Sequence, residues 1–278
     1  MAGPPAGPPP RPARPHPPRG RLEPLKPVSA PLRAALGLGF FLLFLGLWGL
    51  VTYGGYVQPL FLASPGQALA AGWTLFTEYN FAGDIGMTVW RVVGGFLLAA
   101  LLAVPLGLLM GAYKPVEAFF EPFISFARYL PASAFIPLLI LWAGVGEAQK
   151  LSVIFLGSVF QIVIMVAVIA GGTRRDLVEA AYTLGTKGSG ILRRVIIPAA
   201  APQVMEALRL VLGWAWTYVI VAELIGAQSG IGHMIMDSQR LLDTGQMIFG
   251  IVVIGLIGLV TDFLFKALNR RLFRWAAL

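Results

Sequence analysis

The chain has 278 residues, 57% of them hydrophobic and only 12% charged, with a net charge of +8 and no cysteine. Soluble domains carry about 25% charged residues, so the composition excludes an ordinary water-soluble globule and makes lipid the solvent. The lack of cysteine excludes disulfides, thiolate chemistry and cysteine-ligated metal sites.

Residues 1–34 open with MAGPPAGPPPRPARPHPPRG, dense in Pro, Gly and Arg. Such a stretch buries too little apolar surface to offset its ordering entropy, and a disordered basic tail is expected. PxxP-like spacing is present, but a solvated tail explains it more simply than an SH3-type ligand. No small-residue cleavage site follows the first apolar run, so no cleavable signal peptide is expected.

Six apolar stretches follow, roughly 35–55, 88–111, 119–144, 151–171, 200–226 and 246–267. Each approaches the ~20 residues that cross a bilayer as a helix. They do not alternate as strands would. Helices satisfy their own backbone groups, so an all-α integral membrane protein with six transmembrane helices is predicted. With the N-terminus inside, the inside segments hold sixteen Lys and Arg residues, among them Lys114, Arg174, Arg175, Lys187, Arg193, Arg194 and Lys266. The outside segments hold three, Arg91, Lys150 and Arg240. The asymmetry places both termini in the cytoplasm; in a soluble chain the same net charge would point to nucleic acid.

The outside loop over 56–87 contains Ser64-Pro65, an N-cap followed by proline at N1. The following GQALAAGWTLFTEY reads as a short helix, with Trp73, Phe76 and Tyr79 either at the interface or packed on the bundle. In the second span, Gly94, Gly95, Gly107 and Gly111 allow another helix to approach closely. In the third, RYLPASAFIP over 128–137 predicts a broken or kinked helix.

Between the fourth and fifth spans lies EAAYTLGTKGSGILRRVIIP, residues 179–198. Gly185 and Gly190 have P-loop spacing, but Ile191 and Leu192 stand where Lys and Ser or Thr are required. Gly188 and Gly190 lack the third glycine of a dinucleotide fingerprint, so nucleotide binding by this chain is rejected. The segment reads instead as two short helices joined by a glycine turn. Thr173 or Asp176 caps the first, Gly185 and Gly188 break it, and Pro198 ends the second and starts the fifth span.

This segment resembles the EAA loop of permease subunits of ATP-binding-cassette importers. Glu179-Ala180-Ala181, Gly185 and Pro198 sit at the family's spacing, while Val195 and Ile197 replace its usual Ile and Leu. The likeness extends over residues 60 to 275, where LASPGQALAA, RYLPASAFIPLLILWAGVGEAQK and AELIGAQSGIGHMI resemble the nitrate/sulfonate/bicarbonate/taurine-type branch. It implies a type I ABC importer (MetI-like) permease fold over 35–278 in a bacterial inner membrane. It also implies a second copy of the chain, cytoplasmic ABC ATPase subunits, and a periplasmic or lipid-anchored substrate-binding protein. Residues 174–198 would be the coupling segment, with Glu179, Ala180, Ala181, Leu184, Gly185, Gly188 and Pro198 meeting the ATPase. Glu179 would pin the first helix and pair with a nearby base. ATP and Mg would bind the partner, and this chain would carry no cofactor, metal or catalytic residue.

Ionisable residues at membrane depth are functional candidates. Arg128 suits either an anion or a tether to helix carbonyls. Glu206 and Arg209, three apart, read as a structural ion pair. Glu223, near the outer end of the fifth span, is a candidate pathway or substrate residue, and Asp262 lies near the inner end of the sixth. Trp214, Trp216 and Tyr218 either line a pathway or pack within the bundle, and His233 reads as an outer-loop surface residue or a docking contact. An ion-coupled secondary transporter is the alternative function, but no repeat or midplane carboxylate pair supports it. No HExxH or Ser/His/Asp constellation supports a membrane enzyme.

Overall fold

The structure, a computed structural model, describes residues 28–276; the tail expected over 1–34 lies outside the described residues as far as residue 27. Among the described residues every element is helical. Helix α1 spans Ala30–Tyr53 and begins earlier than expected, because Pro31 is tolerated in a first helical turn. The part of α1 up to Leu47 forms a unit by itself, and Trp48 begins the second, larger unit.

In that second unit, Trp48 Nε1 donates to the Ala63 carbonyl at 3.0 Å, and Gly66 N donates to the Tyr53 hydroxyl at 3.1 Å. Helix α2 spans Pro65–Glu78. Ser64 accepts from Gln67 N while Gln67 Oε1 accepts from Ser64 N, a reciprocal pair that satisfies two of the orphan donors at a helix start. Helix α3, Phe81–Ala112, begins seven residues before the expected second span and runs through Pro105 without ending.

One seam organises the bundle. Gly95, Ala99, Ala103, Gly107 and Gly111 recur every four residues along α3 and face α6, Glu147–Gly171. A Cβ on Gly95 would lie 2.7 Å from Ile154, one on Gly107 2.7 Å from the Val163 carbonyl, and one on Gly111 2.4 Å from the Ala167 carbonyl. Without a hydrophobic force between helices in lipid, such close backbone approach is what holds them. The small residues therefore serve α3–α6 contact within the chain. A dimer contact, the other use of this spacing, is not where these glycines point.

The third span breaks as expected. Helix α4, Lys114–Ala127, ends before Pro131, and a 3₁₀ turn at Ala132–Phe135 leads into α5, Ile136–Ala143. The halves are bent by 82°. Proline pushes its predecessor out of the helical region, which is why the chain turns here. Among the described residues five helices are long and apolar enough to cross a membrane, and there are six such spans when the bent α4–α5 pair is counted as one.

Past α6 come α7, Arg175–Thr183, and the one-turn α8, Ser189–Ile191. Pro198 does not close this second short helix, contrary to expectation. The chain widens into a π turn over Leu192–Ile196 and continues without interruption as α9, Ile197–Leu224. A proline ring clashes with the carbonyl four residues before it, and one wider turn relieves that clash. Helices α10, Ile231–Arg240, and α11, Thr244–Leu272, complete the chain. Helix α9 packs on α6, and α11 packs on α2, α9 and α10.

Candidate coupling segment, pathway cavity and buried ion networks

Helix α7 buries none of its residues. It is held from beneath by Val178, which packs with Ala170, Ile191 and Ile196. Its end is closed by local hydrogen bonds: Gly185 N donates to the Tyr182 carbonyl at 2.9 Å, and Thr186 N donates to the Ala181 carbonyl at 2.9 Å. This is the Schellman arrangement, which needs a left-handed residue at its turn. Gly185, at φ +84°, fills that place, and Gly188, at φ +53°, turns the chain again. The result is a knob with Leu177, Tyr182 and Leu184 exposed on it, Leu184 by 85%. Glu179 and Ala180 are exposed and Ala181 is half-buried.

Two local expectations need correction. The α7 start is not capped by Thr173 or Asp176; Arg174 occupies the N-cap and its side chain makes no cap bond. Asp176 instead accepts from Leu177 N at 3.0 Å and pairs with Arg174. The hydrogen bond from that guanidinium holds the Asp176 carboxyl below its ordinary pKa. Among the described residues no base pairs with Glu179; its carbonyl accepts from the Thr183 hydroxyl at 3.0 Å.

At the break in the third span, Arg128 and Tyr218 line one cavity of about 250 Å³, together with Ser133, Gly157, Phe160 and Gln161. Arg128 donates to the Tyr129 hydroxyl at 2.7 Å and lies 4.7 Å from the centre of that ring. Gly157 makes room for Tyr218, whose ring would lie 2.5 Å from any Cβ there. Trp214 is exposed but does not line this cavity, and Trp216 is buried, with its Nε1 3.3 Å from the Thr261 hydroxyl.

Glu223 lies elsewhere, at the bundle end that carries α2 and α10, and is 1% exposed. It accepts from Arg91 Nη1 at 2.8 Å, from the Thr88 hydroxyl at 2.9 Å and from Gly232 N at 2.8 Å. Arg91 also donates to both Glu147 oxygens, at 2.6 and 2.7 Å, and to the Ser229 carbonyl at 2.7 Å. Gly230 N donates to Asp84 at 2.6 Å. Gly230 and Gly232 let the turn before α10 lie directly on this cluster, since a Cβ at either would lie under 3 Å from Glu223. From sequence, Arg91 and Lys150 count only as outside-loop charges; the structure buries both. An arginine inside an apolar helix was the available signal, because such a charge requires a partner. His233 lies 3.2 Å from Asp237 and lines a surface crevice with Asp84 and Gln228.

A second network ties α9 to α11 at the α7 end. Glu206 accepts from Arg209 at 2.8 Å and from Asn269 Nδ2 at 2.7 Å. Arg209 also pairs with Asp262, which pairs with Lys266 at 2.7 Å. The expected Glu206–Arg209 pair is thus part of a five-residue chain. Asn269 is 2% exposed and also reaches the Pro202 carbonyl at 3.4 Å.

Residues 103–274 match the family described as the binding-protein-dependent transport system inner membrane component. The chain is 38% identical to a probable ABC transporter permease of Brucella melitensis, over 86% of this chain and 96% of that one. It is 32% identical to the taurine transport system permease of Escherichia coli, over 87% and 90%. A solved structure of the methionine ABC transporter in inward-facing conformations superposes with a TM-score of 0.63 at 17% identity, covering 69% of this chain and 95% of that one.

Proposed function

The chain belongs to the inner-membrane components of binding-protein-dependent transport systems, and from that premise we propose that it forms a substrate pathway together with a second copy of itself. In this reading both termini and the α7 knob lie in the cytoplasm of a bacterial cell, and α2 and α10 face the periplasm. The knob seats in separate ABC ATPase subunits, which bind ATP and Mg; this chain binds neither. A periplasmic or lipid-anchored binding protein delivers the substrate. That substrate is a small sulfonate, taurine or nitrate-like solute, as the names of several relatives record for those proteins.

The observation that carries the reading is the exposed apolar tip at Leu177, Tyr182 and Leu184 on a helix that buries nothing. Exposed apolar surface of this kind marks a site for another protein. ATP-driven closure of two ATPase subunits would carry their two knobs together. Helix α9, which runs on from α8 beside the knob, would deliver that displacement to α11 through the Glu206–Arg209–Asp262 contacts as a rigid-body motion. Arg128 and Tyr218 would face the passing solute, whereas Glu223, fully engaged by protein donors, would fasten α10 to α3 and α9. The ion-coupled alternative gains nothing from the relatives. The test is co-purification: Leu184→Glu should insert normally and lose the ATPase subunit. Retention of that subunit at the unaltered chain's level would refute the docking assignment.

A further inference from the structure

Helix α11 buries only Gly245, Gly250, Val253 and Asn269, so most of its length faces outward. Leu256, Leu259, Phe263, Lys266 and Arg270 follow one another in steps of three and four residues, which sets them in one strip along the helix. The first three are exposed and apolar. The last two carry the strip into charge at the α7 end. Lys266 Nζ lies 5.8 Å from the centre of the Phe263 ring and pairs with Asp262 at 2.7 Å. The helix rises about 15 Å between Leu256 and Lys266, which is about half the ~30 Å hydrocarbon thickness of a bilayer.

The charges at this end do not balance within the protein. Glu206 and Asp262 offset Arg209 and Lys266. Among the described residues Arg270, Arg271 and Arg274 pair with no carboxylate, and all three are exposed. An apolar strip as long as one bilayer leaflet, ending in an uncompensated cation, matches a phospholipid from end to end. Its hydrocarbon lies beside the leucines and its phosphate beside the arginine. We propose that this strip of α11 is a binding site for an anionic phospholipid such as phosphatidylglycerol, with the headgroup held by Arg270 below Lys266. Arg271 and Arg274 add to the attraction of the same bilayer surface. A zwitterionic headgroup brings its own ammonium and gains less from the arginine. Lys266 sets the lipid phosphate beside the Glu206–Arg209–Asp262 contacts that tie α9 to α11. The site requires only that α11 crosses a bilayer and is independent of the solute carried and of the protein that the knob meets.

The chain contains no cysteine, so Leu259→Cys carries a single fluorophore on the strip. The labelled full chain is placed in phosphatidylcholine vesicles that contain a small fraction of phosphatidylglycerol, or of phosphatidylcholine, spin-labelled on an acyl chain, and the quenching is compared. Both lipids should quench, with a preference for phosphatidylglycerol of about fivefold, the effect of one unpaired arginine near a membrane surface. Arg270→Gln, which breaks no ion pair among the described residues, should bring that preference close to one. Val252→Cys, exposed one turn before Leu256 and about 27 Å from Arg270, should show no preference in either chain. If Leu259→Cys fails to insert, Leu256→Cys reports from the same strip. Quenching by neither lipid would mean that protein covers the strip, and would overturn the site. Equal quenching by both, a preference unchanged by Arg270→Gln, or the same preference at Val252→Cys would each overturn the anionic assignment.

Discussion

Arg91 donates to Glu223 across 2.8 Å, and each side chain is 1% or less exposed. The pair joins α3 to α9, and the same guanidinium grips Glu147 at the start of α6 in bidentate fashion. Two carboxylates around one guanidinium, completed by Thr88 and by backbone N–H groups, satisfy the charges that burial would otherwise leave exposed to low dielectric. Removing the guanidinium leaves the Glu223 carboxylate buried without its cation, whereas Glu147 keeps access to solvent. Arg91→Ala is therefore expected to destabilise the folded bundle by about 3–5 kcal/mol. Thermal unfolding of the detergent-solubilised protein measures this, and a loss below about 1 kcal/mol would contradict the assignment.

Gly185 holds its left-handed turn in open space, with no atom within 4 Å of where a Cβ would stand. The constraint there is backbone strain rather than crowding. A non-glycine residue in this conformation costs about 1–2 kcal/mol, and the knob is local enough to absorb it without unfolding the bundle. Gly185→Trp should thus yield an inserted protein whose assembled complex no longer shows substrate-stimulated ATP hydrolysis. Normal stimulation in that variant would sink the coupling role of the knob.

Gly107 presents the opposite case, since helical backbone suits any residue but the Val163 carbonyl and Val166 side chain leave no room. Overpacking costs about 1–3 kcal/mol where neighbours can shift, and here one neighbour is backbone. Gly107→Leu should lower the unfolding temperature and the yield of monodisperse protein. Gly255→Leu, on α11 with nothing near its Cβ position, should leave both unchanged. Equal effects at the two sites would contradict the α3–α6 seam.

Much of this architecture is legible in the sequence because it rests on short-range rules. Bilayer thickness sets the length of each apolar run, and RYLPASAFIP announces its own break because proline acts on the residues beside it. Ser64-Pro65 and Gly185 mark a helix start and a helix end through hydrogen bonds that span a few residues. The Glu206–Arg209 pair is likewise one helical turn. Errors at this level are small, such as the cap at Arg174 and the π turn that carries the chain through Pro198, where neighbouring carbonyls rather than residue identity decide the outcome.

Sequence by itself therefore determined the class of protein, the number of spans, the break in the third and the position of the exposed knob. Tertiary structure alone decided what the long-range groups meet. Arg91 finds Glu147 and Glu223 at separations of 56 and 132 residues; an arginine inside an apolar helix signals that a partner is needed, but no local pattern names which one. The glycines of α3 could have served a second copy until α6 was seen to fill the space above them. Arg128 and Tyr218 share a cavity only because the chain bends by 82° beside Gly157. Helix-forming tendency and apolar length are properties of neighbours in the chain, whereas a buried charge is settled by whichever donor or acceptor the folded bundle brings within hydrogen-bonding reach.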